Sequence, residues 1–280
     1  MNRSPFDLRL GPAVLLAAVL VACGEREPEM IVAAPASPAP APGAAPVPAP
    51  APAPPPPELA APGGAPPSSA QLLAQVEALK GQLADAPKTV EILTALGDLY
   101  YAHERLGDAL GWYDQAVDAA APAWKAYLAL PAAARKAAPP AGAKARCARG
   151  PERGHAELSA EGRALARAGD RAGAAACYRA ALEPAILAEV HRANAWFLVG
   201  DTKRAMAGQE AVLARVPGHP EALYFLALFL GDTAGEDVAQ LRRARALLDE
   251  VGRVEIPAGR RADLVRASEE LDRRISAAGG

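Results

Sequence analysis

From Ser69 onward apolar residues recur at helical spacing. Leu72, Val76, Leu79 and Leu83 fall at i, i+4, i+7 and i+11, and the run stops near Pro87. This predicts an amphipathic helix ended by its proline. The next periodic stretch holds Leu93, Leu96, Gly97, Tyr100, Ala109, Tyr113 and Ala116. The same register returns with Leu158, Gly162, Leu165, Ala174, Tyr178 and Ala181, closing at Pro184. It returns again with Trp196, Ala205, Val212 and Pro217, and a last time with Leu223, Leu226, Ala227 and Leu230. That last copy resumes after an insertion at 231–238 with Ala244, Leu248, Val251 and Pro257. A final helix over 260–276 puts Leu264, Val265, Leu271 and Ile275 on one side and charge on the other. Small residues let helices approach closely, and large ones fill the gaps between them.

This alternation resembles the tetratricopeptide repeat, a helix-turn-helix unit of roughly 34 residues. Gly169-Asp170 and Gly200-Asp201 match the turn between the two helices of a repeat. Repeat three departs from the pattern at Glu189 and Arg192, where the family prefers bulky apolar residues. The resemblance implies an all-α, tetratricopeptide-like α-solenoid of about four imperfect helix-turn-helix repeats over 69–280. The helix over 260–276 then serves as the C-terminal cap that a last repeat needs. Within the array, 123–154 is broken by Pro131, Pro139, Pro140 and Pro151. A regular helix pair is not expected there; Trp124, Tyr127 and Leu128 mark a short helix, and the rest reads as a degenerate repeat or inserted loop.

In this family the first helix of each pair lines a concave groove. Carried onto the matching positions, the groove residues are Thr94, Asp98 and Tyr101, then Arg163 and Arg167, then Asn194, Phe197 and Leu198, and finally Tyr224 and Leu228. Phe197, Leu198, Tyr224 and Leu228 would bring apolar surface into one stretch, the kind of patch that marks binding. The alternative is that a short array packs this surface on its own capping helix.

The N-terminal quarter follows other rules. Arg3 and Arg9 precede a short apolar run over 13–21, which reads as an export signal over 1–22. A membrane span needs roughly 20 apolar residues, so this run is too short to remain as an anchor. It ends in Leu20-Val21-Ala22-Cys23-Gly24, which resembles the bacterial lipoprotein box. The resemblance implies a leader cleaved before Cys23, diacylation of its sulfur and acylation of the new amino terminus; several acyl chains anchor stably where one binds marginally. Gly24 is not aspartate, which in that family favours an outer-membrane destination in a two-membrane cell. An ordinary secretory signal is the alternative reading. Residues 23–68 are Pro/Ala-rich: 16 of the 28 prolines fall between Pro28 and Pro67. Proline removes donors and fixes φ, so this linker is expected to be disordered or polyproline-like, reaching on the order of 130 Å if extended.

Composition narrows the function. Residues 69–280 carry 27 Lys+Arg against 27 Asp+Glu, which offers no basic footprint for nucleic acid. The neutrality is uneven: 85–118 hold seven acids and two bases, whereas 125–179 hold eleven bases and four acids. Three cysteines give no zinc ligand set. In an oxidising compartment Cys147 and Cys177 either pair or stay apart, with Cys177 packed as a small apolar residue. His103, His155, His191 and His219 lack a ligand spacing and read as structural or exposed, with His219 serving a turn. No motif assembles a nucleophile, a base and an electrophile-stabilising group. The expectation is therefore a lipid-anchored envelope protein, not an enzyme, without metal, cofactor or small-molecule substrate. Its array would bind another envelope protein as an adaptor or assembly factor of the secretin, pilus or outer-membrane assembly type. The alternative is a scaffold that recruits peptidoglycan hydrolases or synthases to the cell wall.

Overall fold

The computed structural model describes residues 69–84, 89–150, 153–254 and 258–279; the leader, Cys23 and the Pro/Ala-rich segment lie outside them. The described residues form eleven helices and no strand. These are α1 (Ser69–Ala84), α2 (Thr89–Ala102), α3 (Leu106–Leu128), α4 (Ala132–Lys136), α5 (Ala143–Arg146) and α6 (His155–Arg167). Then come α7 (Arg171–Leu198), α8 (Thr202–Arg215), α9 (Pro220–Thr233), α10 (Val238–Val251) and α11 (Ala258–Gly279).

Short-range chemistry accounts for the turns. Gly169 and Gly200 take φ of +86° and +89°, the left-handed region that glycine enters without cost. Asp170 and Asp201 follow as N-caps, accepting from the Gly173 and Arg204 amides at 2.8 and 3.1 Å. Ahead of α9, the His219 ring nitrogen accepts from the Ala222 amide at 3.3 Å, and Pro220 takes the first helical position. Asp237 caps α10 through the Ala239 and Gln240 amides.

The helix pairs lock through a glycine facing an aromatic ring. A Cβ on Gly97 of α2 would overlap the Tyr113 ring of α3 and lie 3.0 Å from its Cζ. On Gly162 of α6 it would stand 3.2 Å from the Tyr178 ring of α7. Both rings are buried, with Leu93, Leu96, Ala109 and Ala116 around the first and Leu158, Ala174 and Ala181 around the second.

Two helices run through prolines, Pro122 and Pro184, and at the second the sequence pattern places an end. α3 continues past Pro122 to Leu128, so Trp124, Tyr127 and Leu128 extend that helix and do not start their own. α7 runs on past Pro184 to Leu198, 28 residues in all, and joins the stretch that pairs with α6 to the stretch that meets α8. A proline inside a helix costs about 3 kcal/mol. Packing on several sides offsets it: Ala181, Leu182, Ala185, Ile186, Ala188 and Val190 are all buried around Pro184. The N-terminal half of α7 pairs with α6, through Tyr178 and through the Ala181 carbonyl, 2.9 Å from His155 Nδ1. Its C-terminal half meets α2, α3 and α8, through Pro184–Thr94, Arg192–Asp114 and Val190–Gln209.

The remainder of the 123–154 insert forms α4 and α5, which both lie on α7. A disulfide joins Cys147, at the end of α5, to Cys177 of α7, with Cα atoms 4.7 Å apart. At the far end α9 is buried at every position from Ala222 to Leu230, as a helix apolar all round must be. It packs on α8, α10, α7 and α11. α11 covers α10 with Leu264, Ala267 and Leu271, and Arg274 donates to the Gly231 carbonyl at 2.7 Å. At the opposite end α1 lays Leu72 and Val76 against α2. None of the described helices is long and apolar enough to cross a membrane.

Candidate binding surface

α2 places Thr94, Asp98 and Tyr101 at i, i+4 and i+7 on one stripe, and the first two reach α7. Thr94 Oγ1 lies 2.8 Å from the Val90 carbonyl and 3.2 Å from that of Pro184. Asp98 Oδ1 accepts from the Tyr113 hydroxyl at 2.8 Å and from His191 Nδ1 at 2.7 Å. On its other side His191 Nε2 stands 3.8 Å from Glu221 Oε2 of α9. A nearly fully buried imidazole thus links carboxylates from two other helices. Burial, then the Asp98 charge, holds the Tyr113 phenol well above its ordinary pKa.

Asn194, the next predicted groove residue, is buried, and its Oδ1 accepts from Gln209 Nε2 at 2.9 Å. Gln209 occupies on α8 the place that Tyr113 and Tyr178 hold on their helices, and also donates to the Val190 carbonyl at 3.1 Å. Phe197 is half-buried and stacks on Phe229 with centroids 4.2 Å apart. Leu198 is exposed. Tyr224 and Leu228 are buried at 7% and 6% exposure, so the expected open apolar stretch shrinks to Leu198 and the edge of Phe197. The reason is the all-round apolarity of α9, which neighbours close from every side.

Arg163 and Arg167 stay exposed on α6, away from this seam. They lie close to Tyr178: burial raises its phenol pKa, and both arginines oppose the rise. The acidic segment meets basic residues from farther along the chain. Arg149 pairs with Glu91 at 2.9 Å, and Arg192 with Asp114 at 2.7 Å. The departures at Glu189 and Arg192 therefore have partners: buried Glu189 receives the Arg215 guanidinium on both oxygens, and that guanidinium also lies 4.6 Å above the Trp124 ring.

His191 and Glu221 escape the sequence reading, which treats lone histidines as structural. Nothing local marks them, because their partners lie on other helices. Among the described residues no group of three or more His, Cys, Asp or Glu side chains is placed to hold a metal ion. Comparison with protein-family models gives no match, and comparison with curated proteins gives none either.

Proposed function

We propose that the chain is an envelope lipoprotein whose helical array binds another protein. In this reading Cys23 carries the lipid anchor, the Pro/Ala-rich segment is the spacer, and residues 69–280 act as a tetratricopeptide-like adaptor or assembly factor. The repeated glycine–tyrosine lock carries the scaffold part: Gly97 under Tyr113 and Gly162 under Tyr178 recur at the same sixteen-residue separation on successive antiparallel hairpins. The polar seam across α2, α7 and α9 supports a binding role, because it draws groups from three helices onto one face. The anchor reading rests on sequence, the charged and apolar pattern over 1–22 together with the cysteine box.

Two measurements test the reading. Labelled palmitate enters the wild-type protein and fails to enter Cys23→Ala. A photo-crosslinker at exposed Leu198 or at Asp98 captures a discrete envelope protein in cells, whereas one at exposed Glu210 does not. Equal capture from all three positions sinks the groove, and capture of a wall hydrolase or synthase points to the peptidoglycan scaffold.

A further inference from the structure

Two acceptors of the seam, on Asp98 and Tyr101 of α2, are left over by the bonds described above. Both hydrogen bonds to Asp98 fall on Oδ1, so its Oδ2 has no hydrogen-bond partner among the described residues, and the side chain is 30% exposed. Glu221 approaches from α9 with its side chain 19% exposed. Glu183 lies on α7, the helix that carries His191. The residue is exposed, yet protein bulk around its carboxyl raises the pKa; Arg149 opposes that rise and Glu221 adds to it. Arg149 itself is committed to Glu91 Oε1 at 2.9 Å.

One helical turn beyond Asp98, Tyr101 points to what is missing. The residue is 7% exposed, and its hydroxyl makes no hydrogen bond among the described residues. Burial, then the Asp98 charge, pushes its phenol far above the ordinary range, and the i, i+3 spacing on α2 sets the two residues on neighbouring positions of one face. An unmet buried hydroxyl is a standing cost to the folded state. Retained next to an open carboxylate oxygen, it defines a receptor by its chemistry. Asp98 Oδ2 only accepts, the Tyr101 hydroxyl can accept as well as donate, and the carboxylates of Asp98 and Glu221 stand close by. An anion is repelled, and a neutral carbonyl has nothing to donate to Asp98. A cation with several N–H donors answers both oxygens at once.

We propose that the seam receives an arginine or lysine side chain from a basic segment of a protein partner, with Asp98 Oδ2 and Tyr101 Oη accepting its N–H groups. Glu183 and Glu221 attract the incoming charge, and a modest side-chain shift on docking uncovers the phenol. A segment fits better than a small free cation, since the carboxylates are spread over three helices and match more than one basic residue. This inference rests on the protein-binding reading above and names the chemistry of the partner.

The test uses the full chain and a fluorescent peptide of alternating arginine and serine, with a citrulline-for-arginine peptide as its neutral isostere. The arginine peptide is expected to bind with a Kd below ~1 mM at low salt, and the citrulline peptide at least about tenfold more weakly. Asp98→Asn should weaken binding about tenfold or more. Because Asp98 also holds Tyr113 and His191, Tyr101→Phe is the variant that keeps the test sharp. It should weaken binding about fivefold while raising the melting temperature, since it removes a hydroxyl that the free protein leaves unmet. Glu210→Gln, in an exposed pair with Arg243, should change affinity by less than about twofold.

Equal binding of the two peptides overturns the proposal. So does unchanged affinity in Tyr101→Phe, or an equal loss in Glu210→Gln, which would mean diffuse surface attraction. Tighter binding of spermidine than of the peptide also overturns it, by assigning the seam to small cations. A partner crosslinked at Asp98 with no arginine-dependent binding would leave the adaptor reading standing and remove this one. Arginine-dependent binding without any crosslinked partner would do the reverse.

Discussion

The α2–α3 and α6–α7 hairpins are built on the same lock and end as different machines. In each, a glycine on the first helix sits under a tyrosine sixteen residues later. The first lock is tighter, and its tyrosine hydroxyl is tied to Asp98 and through it to His191 on α7. The second is looser, its tyrosine lies beside Arg163 and Arg167, and its hairpin is stapled by Cys147–Cys177. Identical local signatures thus bring helices together, while the neighbours of each hairpin decide whether it joins a polar seam or a basic, disulfide-held flank.

The largest expected effect comes from emptying the locks. Tyr113→Ala should cost about 4 kcal/mol in urea unfolding, and Tyr178→Ala about 3, because the first loses the Asp98 bond as well as its packing. A larger loss at Tyr178 would break the ranking of the two hairpins. Next in size is the staple. Replacing Cys147 and Cys177 together by serine and alanine should cost about 3 kcal/mol, from the freed loop of about 30 residues. Amide exchange should then rise first in 132–150 and leave α2–α3 protected; early loss of α2–α3 protection would mean that the hairpins are not separable.

A third contrast concerns the glycines. Gly97→Ala should cost about 2 kcal/mol, since the new methyl overlaps a buried ring. Gly162→Ala should stay within about 1 kcal/mol, because its 3.2 Å contact is offset by the better helix propensity of alanine. Equal costs would show that the two locks are equally tight.

The smallest effect is on the pH profile. Burial lowers the His219 pKa, Glu221 opposes that and His191 adds to it. The unfolded chain therefore binds more protons there, and stability rises with pH through the window below about pH 6.5. His219→Asn keeps a capping acceptor and removes the titration. Its melting temperature should fall less than that of the wild type between about pH 7 and pH 5; an equal or steeper fall would clear His219 of any role.

Particular residues explain how much was legible beforehand. The caps Asp170 and Asp201, the left-handed glycines and the small–large alternation act within a few residues of themselves, so spacing reveals them. Pro184 misleads because its local meaning is a helix end, while the helix survives through contacts with α2, α3, α6 and α8. The groove assignment suffers from the same cause. Positions carried over from regular repeats presuppose evenly spaced hairpins, but the long α7 sets α2 directly against its own C-terminal half. Asp98 consequently meets His191, and Tyr224 and Leu228 are covered. Glu189 and Arg192 stood out as departures for a sound reason, since each pairs across helices with Arg215 or Asp114.

By itself the amino-acid order determined the helical class, the turns, the closeness of each hairpin and the division between a proline-rich N-terminal quarter and a periodic remainder. These follow from φ restrictions, capping groups and side-chain volumes, which act over one or two turns. Only the tertiary structure decided that one long helix, α7, serves two neighbouring helix pairs, that acids of 85–118 pair with the distant Arg149 and Arg192, and that a seam gathers at Asp98, His191 and Glu221. Those outcomes depend on which faces meet across tens of residues, where burial and charge pairing outweigh local preference.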